Sequence, residues 1–96
     1  MKYFHRTSVS PDAVVARAAA YFGARLATTE EGPRLRRFAG PLGALTVRVQ
    51  AEGGHYTRVE VATNQPGESE LDRLAKRFLG EVHTMAEPAH ALRGAY

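Results

Sequence analysis

The residue types that could do chemistry are few in this sequence, and their spacing keeps them apart. Its four histidines, His5, His55, His83 and His90, form no H-x-x-x-H or H-E-x-x-H pair, and there is no cysteine to supplement them. No metal centre is expected, and a disulfide, a thiolate ligand or a cysteine nucleophile is excluded. The serines stand at cap and turn positions, outside any G-x-S-x-G setting, so backbone hydrogen bonding accounts for them. Asp12, Glu68, Glu70 and Asp72 fall in the first turns of expected helices, where the helix dipole favours acidic residues. Glu30 and Glu31 are neighbours in an expected turn, with their carboxylates diverging into solvent. Gly53-Gly54 precedes no helix, so it does not form a phosphate cradle of the nucleotide-binding type. The expectation is a non-catalytic chain with no cofactor.

Arginine offers more. There are 13 lysines and arginines against 10 acidic residues, a net charge of +3, and only Lys2 and Lys76 are lysines. A charge of +3 does not by itself establish a nucleic-acid partner, so placement decides. The segment Arg34-Leu35-Arg36-Arg37-Phe38-Ala39 has two registers as a strand. With Leu35 toward the helices, Arg37 goes inward and Arg34, Arg36 and Phe38 join the open face. With Phe38 toward the helices, Arg34 and Arg36 point inward instead. In either register an inward arginine is expected to snorkel, to meet a helix carboxylate such as Glu81, or to build an anion site between sheet and long helix. In the first register Arg34, Arg36, Arg48, Tyr56 and Arg58 share one sheet face, an arrangement suited to phosphates and stacked rings. These five are the candidate ligand or nucleic-acid residues. Arg36 would then oppose Arg48, a like-charge pair that disfavours this register without an anion.

The elements that must position these side chains are marked by caps, turns and periodicity. Lys2 to Val9 alternates and runs into Ser10-Pro11-Asp12, an N-cap, a first-turn proline and a favourable acid. Val14, Val15, Ala18, Ala19 and Phe22 then recur at helical spacing up to Gly23. From Ala24 the period is two. Strands are expected at 24–29, 34–39, 44–51 and 56–63, separated by breaks at Glu30-Glu31-Gly32-Pro33, Gly40-Pro41-Leu42-Gly43 and Glu52-Gly53-Gly54-His55. Placing apolar residues on one face pairs Ala51 with Thr57, Val49 with Val59 and Val47 with Val61. The opposite face then pairs Arg48 with Glu60 and Gln50 with Arg58. A long helix follows, with Leu71, Leu74, Ala75, Phe78, Leu79, Val82 and Met85 in one stripe, Ser69 and Asp72 resembling a capping box, and Pro88 as its stop. Gly80 falls opposite the stripe, where it could admit the close backbone of a partner.

The sum is one α+β domain over residues 1–87 with a tail at 88–96: a single antiparallel curved sheet carrying two helices on one face, in the order β-α-β-β-β-β-α. That order resembles the TATA-binding-protein-like fold, and is similar to a reduced helix-grip domain of the START and plant-allergen (Bet v 1-like) superfamily. The opening Phe4-His5-Arg6-Thr7-Ser8-Val9-Ser10-Pro11-Asp12-Ala13-Val14 resembles the first strand and helix of that superfamily. The resemblance covers residues 2 to 86 as topology, and the chain is short for a full helix-grip cavity. Three uses are expected of such a domain: self-association as a homodimer through the sheet face or long helix, nucleic-acid binding through the arginine face, or a small ligand held between sheet and C-terminal helix beside Phe78, Val82 and Met85. The N-terminus has no export signal and no segment approaches the ~18 apolar residues of a membrane span, so no membrane partner and a cytoplasmic location are expected.

Overall fold

The computed structural model describes residues 1–86. Seven elements follow one another: β1 (Lys2–Thr7), α1 (Pro11–Gly23), β2 (Ala27–Gly32), β3 (Leu35–Gly40), β4 (Gly43–Glu52), β5 (Tyr56–Thr63) and α2 (Glu70–Ala86). All strands belong to one antiparallel, unclosed sheet ordered β1-β5-β4-β3-β2. The first and second strands therefore form opposite edges, and α1 carries the chain across the sheet between them. Pro88 and the expected tail at 88–96 lie outside the described residues.

Local chemistry sets both helices. Ser10 Oγ accepts the Ala13 N–H at 3.2 Å, with Pro11 opening the helix and Asp12 in its first turn. Val14, Val15, Ala18 and Phe22 of α1 are buried, as are Leu71, Ala75, Phe78 and Val82 of α2. Both helices lie on the same side of the sheet, α1 over β3 and β4, α2 over β5 and β1. The core between the layers closes on rings: Phe22 stands 5.0 Å from Phe78 and 5.5 Å from Phe38, centroid to centroid.

The β4–β5 hairpin has the expected register, with Val47 opposite Val61, Val49 opposite Val59 and Ala51 opposite Thr57. Residues 53–55 form its loop, with Gly54 at φ +79. The second strand is displaced from its expected position. Phe22 O accepts the N–H groups of both Arg25 and Leu26, which prolongs the helical turn, and Leu26 then enters the core. The strand consequently starts at Ala27 and runs through Glu30 and Glu31, and the reversal falls on Pro33 and Arg34 between the paired Gly32 and Leu35. The two glutamates are ladder residues opposite Arg37 and Arg36, and do not diverge from a turn. A bulge between Thr28 and Glu30 brings them into register.

Asp72 is the largest departure from expectation. It lies in the first turn of α2, yet its side chain is completely buried and turned toward the end of the sheet. Its backbone N–H donates to Ser69 Oγ at 3.1 Å, and the Ser69 hydroxyl donates in turn to the Asp72 carboxylate. Tyr3 of β1 and Thr63 of β5 each donate a hydroxyl to Asp72 Oδ1 at 2.9 Å. Burial pushes this carboxyl up, but the hydrogen bonds from Ser69, Thr63 and Tyr3, with the N-terminal ammonium nearby, outweigh it and hold it below the usual aspartate range. Burial, followed by the same hydrogen bond, raises the Tyr3 phenol.

Gly80 is exposed, and a Cβ there would meet nothing within 4 Å. Gly43 differs: at φ +128, a Cβ would lie 2.7 Å from Asn64 Oδ1, the atom that accepts the Ala44 N–H. Opposite outcomes are expected for the same substitution. Gly80→Ala should stabilise by about 1 kcal/mol, by helix propensity alone. Gly43→Ala should cost at least about 1 kcal/mol through its backbone conformation and the displaced cap. Urea unfolding of the two variants checks the signs.

The Asp72 carboxylate gives acid sensitivity a direction. Because its folded pKa is depressed, its contribution to stability is complete above the unfolded value, about 3.9, and is lost as pH falls through the folded value. Asp72→Ala, which strands three hydroxyls, should cost about 2–4 kcal/mol at neutral pH. Asp72→Asn should lose stability less steeply than the parent between pH 5 and pH 2, measured by urea midpoints across that range.

Candidate functional site

One sheet face is uncovered, and the strand alternation assigns its residues. Phe38 is buried beneath α1, so β3 takes the second of its two possible registers. Arg36 then lies on the helix side opposite Val47, while Leu35 opposes Arg48 and Arg37 opposes Thr46 on the open face. The like-charge opposition of Arg36 and Arg48 does not arise.

The five candidate residues are thereby divided. Arg48, Tyr56 and Arg58 share the open face. Arg34 is in the β2–β3 turn, where its guanidinium meets Asp12 Oδ1 of α1 at 2.6 Å. Arg36 is half-buried beside the helices, 3.5 Å from Glu31, with its Nε buried and lacking an acceptor among the described residues. Glu81, the helix carboxylate expected to receive an inward arginine, instead pairs with Arg17 of α1. Two of the three residues expected beside a ligand, Phe78 and Val82, are completely buried, with Phe78 packed on Phe22 and Tyr21, while Met85 is exposed.

Side chains from β1 complete the open face, and the sequence pattern alone did not assign them. Lys2, Phe4 and Arg6 pair with Ala62, Glu60 and Arg58. Phe4 and Tyr56 are half exposed, at 51% and 52%, although each is a large ring on a sheet. Each ring carries a guanidinium: Arg58 lies 4.5 Å over Phe4, and Arg6 lies 5.6 Å over Tyr56.

The charges of this face are mostly matched. Arg6 meets Glu52 at 3.0 Å, Arg37 meets Glu30 at 3.5 Å and Arg48 reaches Glu60 at 3.8 Å. Arg58 has no ion pair among the described residues and is held by the Phe4 ring. It also stands directly across from Arg6, an opposition of like charge that the Arg6–Glu52 pair offsets in part. A concavity of about 380 Å³ lies here, lined by Phe4, His5, Arg6, Glu52 and Arg58. A smaller one of about 70 Å³, lined by Arg48, Gln50, Arg58 and Glu60, adjoins it across Arg58. Arg58 is thus the shared wall of a shallow trough running from the β1 edge to β4.

On the helix side, the His5 ring stands 6.0 Å from the ring of His83. Burial, then the charge of His83, lowers the His5 pKa. Among the described residues no group of three or more His, Asp or Glu side chains could hold a metal ion, and no helix is long and apolar enough to cross a membrane. No protein-family model and no curated protein matches this sequence.

Proposed function

We propose that this chain is a non-catalytic binding module whose uncovered sheet face receives a nucleic-acid strand. The observation that carries this reading is Arg58: a guanidinium without a carboxylate, fixed by an aromatic ring and facing a second arginine across the ladder. A ring orients the cation without neutralising it, which leaves its donors free for phosphate oxygens. Arg6 and Arg48 flank it on the neighbouring strands, so three guanidiniums line one trough. The carboxylates of the face, Glu30, Glu52 and Glu60, are each engaged by an arginine, which suits them poorly to act as general bases. The element order resembles the TATA-binding-protein-like fold, which likewise leaves one sheet face uncovered. The packing of Phe78 and Val82 favours that resemblance over a helix-grip domain with a cavity under its long helix.

Self-association through the same face is the second reading, supported by the confinement of both helices to the other side. It makes the two partners compete for one surface.

Affinity for a labelled oligonucleotide should fall about 20-fold between 50 and 200 mM salt if three phosphates are contacted, and Arg58→Glu should abolish binding. Fluorescence anisotropy reads both. A salt-insensitive signal, or an unaltered Arg58→Glu variant, removes the nucleic-acid reading. Light scattering at high protein concentration decides the second reading, which a monomer eliminates.

A further inference from the structure

We infer that the trough selects single-stranded nucleic acid over duplex, seating unpaired bases against the Phe4–Arg58 and Tyr56–Arg6 stacks while Arg58 and Arg6 hold the intervening phosphates. This rests on the reading of the open face as the nucleic-acid surface and specifies which form of the polymer it accepts.

Three features of the face lead there. The first is how its rings lie. A sheet that binds a duplex through the minor groove inserts apolar wedges between base steps and kinks the helix. Phe4 and Tyr56 are the large exposed hydrophobic side chains of this face, and each lies beneath a guanidinium. A ring that shares its exposed surface with a guanidinium is a poor wedge. Ring and guanidinium together make a stacking platform, since an arginine plane accepts a base as an aromatic ring does.

The second feature is spacing. Phe4 lies opposite Glu60, and Tyr56 is four residues from Glu60 on β5, so the two platforms are about 13 Å apart along the strand direction. Arg58 and Arg6 occupy the row midway between them. Base platforms with cations between them fit a chain whose bases are splayed apart and whose phosphates run between, which a stacked duplex does not offer.

The third feature is the shape and polarity of the floor. A concavity of about 380 Å³ is at the lower end of small-ligand sites and suits one nucleotide unit at a time. Gln50 and Glu60 line its extension beside Arg58 and Arg48. An amide and a carboxylate can accept from exocyclic amino groups, which are exposed on an unpaired base and engaged in a paired one. An extended face of five strands also cannot enter the major groove, which admits a helix or a two-stranded ribbon.

The test compares one 12-nucleotide DNA strand with its own duplex, by anisotropy at 50 mM salt, against the parent, Phe4→Leu and Arg58→Gln. Phe4 and Arg58 are both exposed, and matched thermal melting verifies that the variants fold. The expected result is at least tenfold tighter binding of the strand than of the duplex. Phe4→Leu should weaken the strand about tenfold and leave the duplex unchanged, and Arg58→Gln should weaken both. Equal affinity for strand and duplex, with both lost in Arg58→Gln, overturns the single-strand inference and leaves the open-face reading standing. So does a Phe4→Leu variant that binds the strand like the parent while Arg58→Gln does not. Binding of neither form, or undiminished binding by Arg58→Gln, overturns the inference and the reading together.

Discussion

The burial of Phe38 is the constraint on which the surface of this protein depends. Its ring lies 5.5 Å from that of Phe22 in a fully enclosed position, and exposing a side chain of that size would cost about 2–3 kcal/mol. A strand has only two faces, so fixing one residue fixes the rest. With Phe38 inside, Arg36 is drawn to the helix side and Leu35 and Arg37 are sent to the open one. The sheet ladder passes this choice to β2, where Glu31 follows Arg36 and Glu30 follows Arg37. The ion pairs along both faces at that edge of the sheet are therefore consequences of one aromatic contact made by α1.

The opposite end of the sheet is organised by a polar contact. Asp72 joins the N-terminus of α2 to β1 and β5 through Tyr3 and Thr63, neighbours in the sheet that are the first and last strands along the chain. A buried carboxylate is tolerable only when its lone pairs are used, and here three hydroxyls use them. Apolar packing alone would let α2 slide along a stripe of Leu, Ala, Phe and Val. The hydrogen bonds allow one position. They also fix β1 as an edge strand against β5, and β1 brings Phe4 and Arg6 to the open face.

How much of this was legible in the sequence follows from where the deciding contacts lie. The β4–β5 register could be read directly, because Val47, Val49, Val59 and Val61 have matching parity around a short glycine loop. The β3 register could not, because Leu35 and Phe38 have opposite parity, and the residue that decides between them, Phe22, lies in another element. The position of β2 was hidden for a related reason. Its residues Ala27 to Gly32 include no large apolar side chain, so pairing with β3 places the strand and its own pattern does not. Asp72 was obscured by a sufficient generic explanation, an acid at a helix start. The available signal was its spacing, three before Ala75 and seven before Leu79, at the border of the apolar stripe. Of the candidate site residues, Arg48, Tyr56 and Arg58 depended on the legible hairpin and share a face. Arg34 and Arg36 depended on the ambiguous strand and do not join them.

Among the arginines of the sheet, charge placement separates Arg58 from the rest. Arg6, Arg17, Arg34, Arg36, Arg37 and Arg48 each have a carboxylate within 4 Å, mostly at exposed positions where such pairs contribute little to stability but cancel local field. Arg25 also lacks a carboxylate partner among the described residues and lies over a ring, that of Tyr21; Arg58 differs from it in facing a second arginine across the ladder. Its cross-strand neighbours are Gln50 on one side and Arg6 on the other, and its contact is an aromatic ring that leaves the charge intact. The like-charge opposition itself does not stabilise the sheet, whatever the ring contact contributes. If the face binds a phosphate as proposed, a guanidinium already held over a ring lowers the entropy of ordering that long side chain on binding.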